Sequence, residues 1–288
     1  MRLLDAAVRL GSISAAAAEQ NIAVSAVSRR FSDMEHRLGT AVLYRKGRGV
    51  EPTPAGITLL KHAQNLLRLA DRAADEMSDF AEGGRGHVRV AANPSAIAQF
   101  LPKLFSSFAM GNSNVKIALK ETMSDGVVRD ISDGVVDIGV FSEMVDHTGI
   151  ETFPYFEDRL CVIAPLGHPI TVHKKIAFAA LLDFPHIALE DGSSLFAQIS
   201  TRAAEAGGAL DVAVRVRSFD GVRRMVGSGL GLGILPYGVA APYAESDGLQ
   251  VIVLDENWAT RRFFIGVRER KALSRAAERF LVHALAAV

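Results

Sequence analysis

A single cysteine, Cys161, in 288 residues excludes an internal disulfide framework and any zinc site built from several thiolates. Nothing asks for an oxidising compartment, and a cytoplasmic setting is the expectation. An excess of charge is also missing: 32 basic residues face 32 acidic ones, and 49% hydrophobic against 22% charged residues excludes disorder and fibrous repeats. An apolar run able to span a bilayer is absent as well. The longest uncharged stretch, Met225 to Ala244, is broken by Gly227, Gly229, Gly231, Gly233 and Gly238 and by Pro236 and Pro242, so it reads as helix end, strand and turn. Asp5 and Arg9 interrupt the N-terminus where a secretion signal needs an unbroken apolar core.

Catalytic and metal-binding patterns are equally scarce. The eight histidines form no HExxH or HxH pattern, and His168 and His173 have no thiol or carboxylate near them in sequence, so no metal and no cofactor is expected. There is no GxSxG elbow and no GxxxxGK[ST] loop, and Cys161 sits inside the apolar run Leu160-Cys161-Val162-Ile163, the setting of an inert thiol. Gly227-Ser228-Gly229-Leu230-Gly231-Leu232-Gly233 invites a dinucleotide reading, but its order is reversed. A helix precedes it and a strand comes after, whereas a phosphate-binding turn comes after a strand and opens a helix. With no acid, base or nucleophile constellation, an enzyme is not expected.

What is present begins with a charge asymmetry. Residues 1–68 hold ten basic and five acidic residues, so the neutral total hides a basic head on an acidic body, as expected when one part meets a polyanion. In that head, apolar periodicity gives a helix to Leu10, a break at Gly11-Ser12 and an alanine-rich helix Ile13 to Gln20. A turn of three residues leads into a helix Val24 to Leu38, whose buried side is expected to carry Ala26, Val27, Phe31, Met34 and Leu38. Two short helices with so brief a turn make a helix-turn-helix, whose second helix can enter a major groove. A β-prone stretch, Thr40 to Arg45, a turn Lys46-Gly47-Arg48-Gly49 and a return at Val50 to Thr53 read as a wing, with Lys46 and Arg48 at a basic tip. Thr53-Pro54 reads as a cap and first helical residue. The repeat after it, at Leu59, Ala63, Leu66, Ala70, Ala73, Met77 and Phe80, averages the spacing of a coiled-coil seam, although an ordinary amphipathic helix shares much of that pattern.

Glu82-Gly83-Gly84-Arg85-Gly86 ends this helix as a flexible link. Beyond it, β-runs alternate with helices, among them His87–Ala92 before a helix Ser95–Phe108, Asp137–Phe141, Arg159–Ala164 and Arg262–Arg268, and such alternation argues for parallel α/β sheets, in one large sheet or two lobes. Small and hydroxyl residues recur where strands yield to helices, at Asn93-Pro94-Ser95, Phe141-Ser142, Asp191-Gly192-Ser193-Ser194 and Ser218-Phe219-Asp220. Each serine alone serves as a helix cap. Several caps converging on one cleft would instead form a receptor for a small carboxylate or other polar anion.

These residues resemble the LysR-type transcriptional regulators. The likeness is carried by Gly11-Ser12-Ile13-Ser14 with Ala16-Ala17, Val27-Ser28-Arg29, Met34-Glu35, Leu38-Gly39, Gly47-Arg48-Gly49 and Thr53-Pro54-Ala55-Gly56. Further on it is carried by Asp137-Ile138-Gly139-Val140, Ala164-Pro165, His168-Pro169 and the run from Gly229 to Pro236. The resemblance implies a fold of class α/β with an N-terminal all-α winged helix-turn-helix (1–54), a dimerisation helix (55–86) and a two-lobed effector domain (87–288) similar to type 2 periplasmic binding proteins. The lobes would comprise about 87–159 with 265–288, and about 160–264, with the chain crossing near Arg159–Leu160 and Phe263–Ile265. It also implies a homotetramer, a dimer of dimers, that controls transcription when a small metabolite enters the interlobe cleft. By position, Ser95, Phe141, Ser142, Ser193, Ser194 and Phe219 fall where such regulators touch effectors, and Ser28 and Arg29 where they touch DNA.

One departure bears on readout. Where such regulators usually open the recognition helix with a serine cap, a glutamine and a proline, this chain has Ala23, Val24 and Ser25, so a bidentate adenine contact is replaced by the apolar contact to a thymine methyl that valine offers. The chain also opens at Met1 almost inside the first helix, a few residues later than in similar regulators. The expected interface has Val24, Ser25 and Ser28 at base edges, and Arg29, Arg30, Lys46 and Arg48 on phosphate or minor groove of an inverted-repeat operator. A constitutive DNA-binding protein, whose α/β body only oligomerises, is the competing reading.

Overall fold

The computed structural model describes residues 1–46, 49–81 and 86–287, without the side chains of Lys46, Arg68 and several residues between Asp71 and Ala81. Arg48 and the link Glu82–Arg85 lie outside the described residues. The chain divides into two units, the first Met1–Arg85 with Asp133–Val135 and the second Gly86–Ser132 with Val136–Val288.

Three helices, α1 (Arg2–Leu10), α2 (Ile13–Glu19) and α3 (Val24–Leu38), are set by local chemistry. Gly11 ends α1 in the left-handed conformation at φ 62°, and the Ser12 hydroxyl then accepts the Ala15 N–H at 3.2 Å to start α2. Ala16 and Ala17 are fully buried, so small side chains let neighbouring helices approach, and Val27 and Phe31 of α3 close the core against Leu4 and Ala7. Leu38, expected on the buried side, is exposed: it is the last residue of α3, beyond the core, directly before Gly39 at φ 66°. The wing pairs β1 (Leu43–Lys46) with β2 (Gly49–Pro52), and Val50 donates to the Gly11 carbonyl at 2.9 Å, tying the wing to the turn after α1. Thr53 caps α4 (Pro54–Ala81) by accepting the Gly56 N–H at 3.0 Å while its hydroxyl donates to the Ala41 carbonyl at 2.7 Å. The apolar seam of α4 divides by depth. Ala63 is fully buried, whereas Leu66 and Met77 are 55% and 66% exposed among the described residues.

The second unit runs β3 (Gly86–Ala92), α5 (Pro94–Gln99), α6 (Leu101–Gly111), β4 (Val115–Glu121), α7 (Ser124–Ser132), β5 (Ile138–Ser142) and the long β6 (Glu151–Pro165). The next elements are β7 (Lys175–Ile176), β8 (Pro185–Leu189), α8 (Ser194–Glu205), β9 (Asp211–Val216), α9 (Phe219–Gly227), β10 (Gly233–Pro236) and α10 (Tyr237–Ala240), and the unit ends with β11 (Leu249–Leu254), β12 (Thr260–Val267) and α11 (Arg275–Ala286). The expected helix Ser95–Phe108 is broken at Phe100, because Pro102 lacks the N–H needed in a helix interior and is instead accommodated in the first turn of α6. The expectation of parallel sheets is corrected: β4, β3 and β5 are parallel, but β12 runs antiparallel to both β5 and β6, and β10 and β11 run antiparallel to β6.

Separate apolar cores mark two lobes. One gathers Val90, Leu104, Ile138, Phe263 and Phe280, the other Leu160, Val162, Leu195, Ile234 and Ile252. The long strand β6 serves both, pairing with β12 as far as Arg159 and with β10 and β11 from Leu160 onward. The return crossing comes earlier than Phe263–Ile265: Thr260 already pairs with Arg159, and Phe263 and Ile265 lie in the first lobe's core.

Candidate functional site

On the first unit, the exposed face of α3 is built by helical geometry, at roughly 100° per residue. Val24, Ser25 and Arg29 are exposed and Ser28 is half-buried, so these four share one face. Val24, 45% exposed, is the first residue of the helix, and its preceding Ala23 supplies no side-chain cap. Arg30 stands on another flank, over Leu3, Leu4, Phe31 and Met34, turned toward α1. The Lys46 side chain and Arg48 fall outside the described residues. A residue that sequence reasoning passed over joins the face: exposed Arg45, on β1, donates from Nη2 to the Ser32 hydroxyl at 3.5 Å, placing a cation beside α3. Its signal was the basic run Arg45-Lys46 entering the wing.

In the second unit a cleft of about 380 Å³ opens between the lobes, with Ser95 from the first lobe facing Ser193, Ser194 and Phe219 from the second. Strand ends and helix starts create it. Asn93 caps α5 by accepting the Ala96 N–H at 2.9 Å, Ser193 caps α8 by accepting the Phe196 N–H at 3.4 Å, and Ser218 caps α9 by accepting the Gly221 N–H at 3.1 Å. The first-turn N–H groups of α8 and α9 have no acceptor within their own helices, and each helix brings the positive end of its dipole.

Ser95 is buried, and its hydroxyl accepts from Arg261 Nη2 at 3.5 Å. Arg261 is itself held by Asp158, through Nε to Oδ1 at 2.7 Å and Nη2 to Oδ2, and Gln99 adds a 2.9 Å bond to the same carboxylate. Asp158 and Arg261 face each other on β6 and β12, where the chain crosses between lobes. A hydroxyl has one proton to give. Ser95, Ser193 and Ser218 each accept a bond from the protein, and among the described residues none of their protons has a protein acceptor, so these protons are available to a ligand.

Phe141 and Ser142 do not line the cleft. Strand alternation turns Phe141 into the first lobe's interior, where a Cβ on Gly266 would come within 2.7 Å of its ring. Ser142 is buried behind the cleft wall: its N–H donates to the Ser124 hydroxyl, which also accepts from Asn93 Nδ2 at 2.8 Å. Cleft residues that sequence reasoning did not single out are Glu121, Glu190 and Arg217. Arg217 donates from Nε to both Glu190 oxygens, at 3.0 and 2.9 Å. Cys161 is inert in this setting, its thiol pushed up to about 12 by burial. Among the described residues no helix is long and apolar enough to cross a membrane, and no group of three or more His, Cys, Asp or Glu residues could hold a metal ion.

A winged helix-turn-helix with an open α3 face, carried on the same chain as a two-lobed α/β unit with a donor-rich cleft, defines the class of ligand-responsive DNA-binding regulators. The profile described as bacterial regulatory helix-turn-helix protein, lysR family, matches residues 1–57, and that of the LysR substrate binding domain matches residues 81–288. The chain therefore belongs to the LysR family, as a DNA-binding transcriptional regulator with an effector-binding domain. It is 31% identical over 246 residues to the probable HTH-type transcriptional regulator LrrA of Synechococcus elongatus, covering 84% of this chain and 81% of that one. Its fold is similar to full-length CbnR complexed with target DNA, at TM-score 0.74 and 21% identity over 100% of this chain and 98% of that one. It is also similar to the CcmR regulatory domain of Synechocystis PCC6803 in complex with 2-PG, at TM-score 0.64 and 22% identity over 70% of this chain and 96% of that one.

Proposed function

We propose that this regulator, working in the cytoplasm, reads an inverted-repeat operator with the α3 face and responds to a small anionic effector in the interlobe cleft. Val24, Ser25 and Ser28 approach base edges, while Arg29 and Arg45 grip phosphate; Arg30, Lys46 and Arg48 are assigned to phosphate or minor groove on sequence grounds. Two heads are joined through the exposed Leu66–Met77 seam of α4, and pairs of dimers complete a tetramer. The observation that carries the effector reading is the convergence of Ser95, Ser193 and Ser218 on one cleft at the starts of α5, α8 and α9, each accepting a bond from the protein while its hydroxyl proton meets no protein acceptor among the described residues. An acceptor-bearing ligand completes them. Closure of the lobes changes transcription only so far as the effector prefers one state of the oligomer.

The test is a gel shift and footprint of the purified chain on the DNA upstream of its own gene at several salt concentrations. Two protected half-sites about one helical turn or a multiple apart are expected, with affinity falling steeply in salt. Arg29→Ala should weaken binding to all sequences and lower the salt slope by about one unit. Unchanged affinity and slope would remove Arg29 from the interface.

A further inference from the structure

The cleft's donor-rich end accounts for one end of an effector. The charged residues of the same lining bear on the rest of it. Glu121, at the end of β4 in the first lobe, and Glu190 and Asp191, after β8 in the second, line the cleft together with Arg217. Three carboxylates thus face one guanidinium. That guanidinium binds Glu190 through Nε, and Arg261 behind Ser95 is held by Asp158. Asp191 lies 3.7 Å from Arg215. Glu121 makes no ion pair among the described residues, and it belongs to the lobe opposite the starts of α8 and α9.

A second anionic group on the effector would find three carboxylates against one guanidinium that already faces Glu190, in a cleft where water is partly excluded and like charges repel more strongly than in bulk. A cationic group meets the reverse. The same lining also carries the apolar side chains of Ile97, Met123, Leu189, Leu195 and Phe219. We infer that the effector is a zwitterion of the amino-acid class: one carboxylate on the serine hydroxyls and helix starts, an ammonium facing Glu121, and an apolar body between them. This rests on the effector reading above and narrows it from anions in general to ligands with one carboxylate and one ammonium.

The experiment is a thermal-shift and calorimetric comparison on the full chain using three matched sets of probes. These are L-amino acids with apolar side chains, the deaminated monocarboxylic acids of the same carbon skeletons, and dicarboxylates of similar size. At least one amino acid is expected to bind about tenfold tighter than its deaminated counterpart, and dicarboxylates are expected to bind weakest. Glu121→Gln should remove the tenfold preference while the deaminated acid still binds. Monoacids or dicarboxylates binding as well as the amino acids overturns the zwitterion inference and leaves the effector reading standing. A preference that persists in Glu121→Gln overturns the role of Glu121. Silence from all three sets, on protein that still shifts its operator, overturns both the inference and the carboxylate-effector reading beneath it.

Discussion

Replacing Asp158 with leucine should be among the most damaging single changes in the second unit. The side chains of Asp158 and Arg261 are 2% and 4% exposed, so the substitution leaves a guanidinium buried without its counter-charge. Breaking a buried pair from one side costs about 3–5 kcal/mol, because the remaining charge keeps its desolvation penalty and loses its partner. For a domain of this size that corresponds to a fall in Tm of roughly 6–20 °C. Arg261→Met should cost a similar amount, since it strands the carboxylate. The double replacement removes both charges and substitutes apolar volume, leaving only the Gln99 and Ser95 bonds unmade at about 1 kcal/mol each. It should therefore be far milder than the sum of the two single changes.

Trp258 makes this measurable without interference from the first unit. It is the chain's only tryptophan, stands three residues before Arg261, and packs edge-on to Phe178 with ring centroids 5.2 Å apart. Its fluorescence during urea unfolding reports the second unit, so the two-unit chain need not unfold in one transition. Additive single and double mutants, or an Asp158→Leu loss under about 1 kcal/mol, would refute the assignment of a coupled buried pair.

Two further outcomes are expected. Cys161 should resist thiol reagents in the native chain at pH 8 and react fully in urea; because its folded pKa is raised to about 12, the stability it contributes is complete below the ordinary thiol range and declines as pH rises from there toward 12, which urea titrations at increasing pH would register. Leu66→Glu places a charge on the uncovered seam of α4, and sedimentation velocity should show smaller assemblies with the Trp258 unfolding transition unmoved; an unchanged sedimentation coefficient would assign that seam no role in assembly.

The difference between the features legible in the sequence and those that were not tracks the distance over which each interaction acts. Ser12, Thr53, Asn93, Ser193 and Ser218 all bond an N–H three residues on, so a short window of sequence contains both partners, and the helix starts and cleft-lining serines could be located without coordinates. Phe141 is harder. Its place at the end of a strand suggests a cleft, but the face it presents depends on the register of β5 against β12, and the pairing of Phe264 with Phe141 joins residues far apart in the chain. The break at Phe100 is present in the sequence as Pro102 but is outweighed there by a continuous apolar period.

Arg261 carries no local signal at all. It stands beside Arg262, and only the fold separates the two: Arg261 turns inward to Asp158, 103 residues earlier in the chain, while Arg262 turns outward to Glu157. The same alternation on β6 and β12 that creates this buried pair also brings Arg261 Nη2 to the Ser95 hydroxyl. A residue invisible to motif reading thus makes direct contact with a serine of the cleft. The chemistry of the cleft is set jointly by helix caps, which are local, and by a crossover-strand ion pair, which is not.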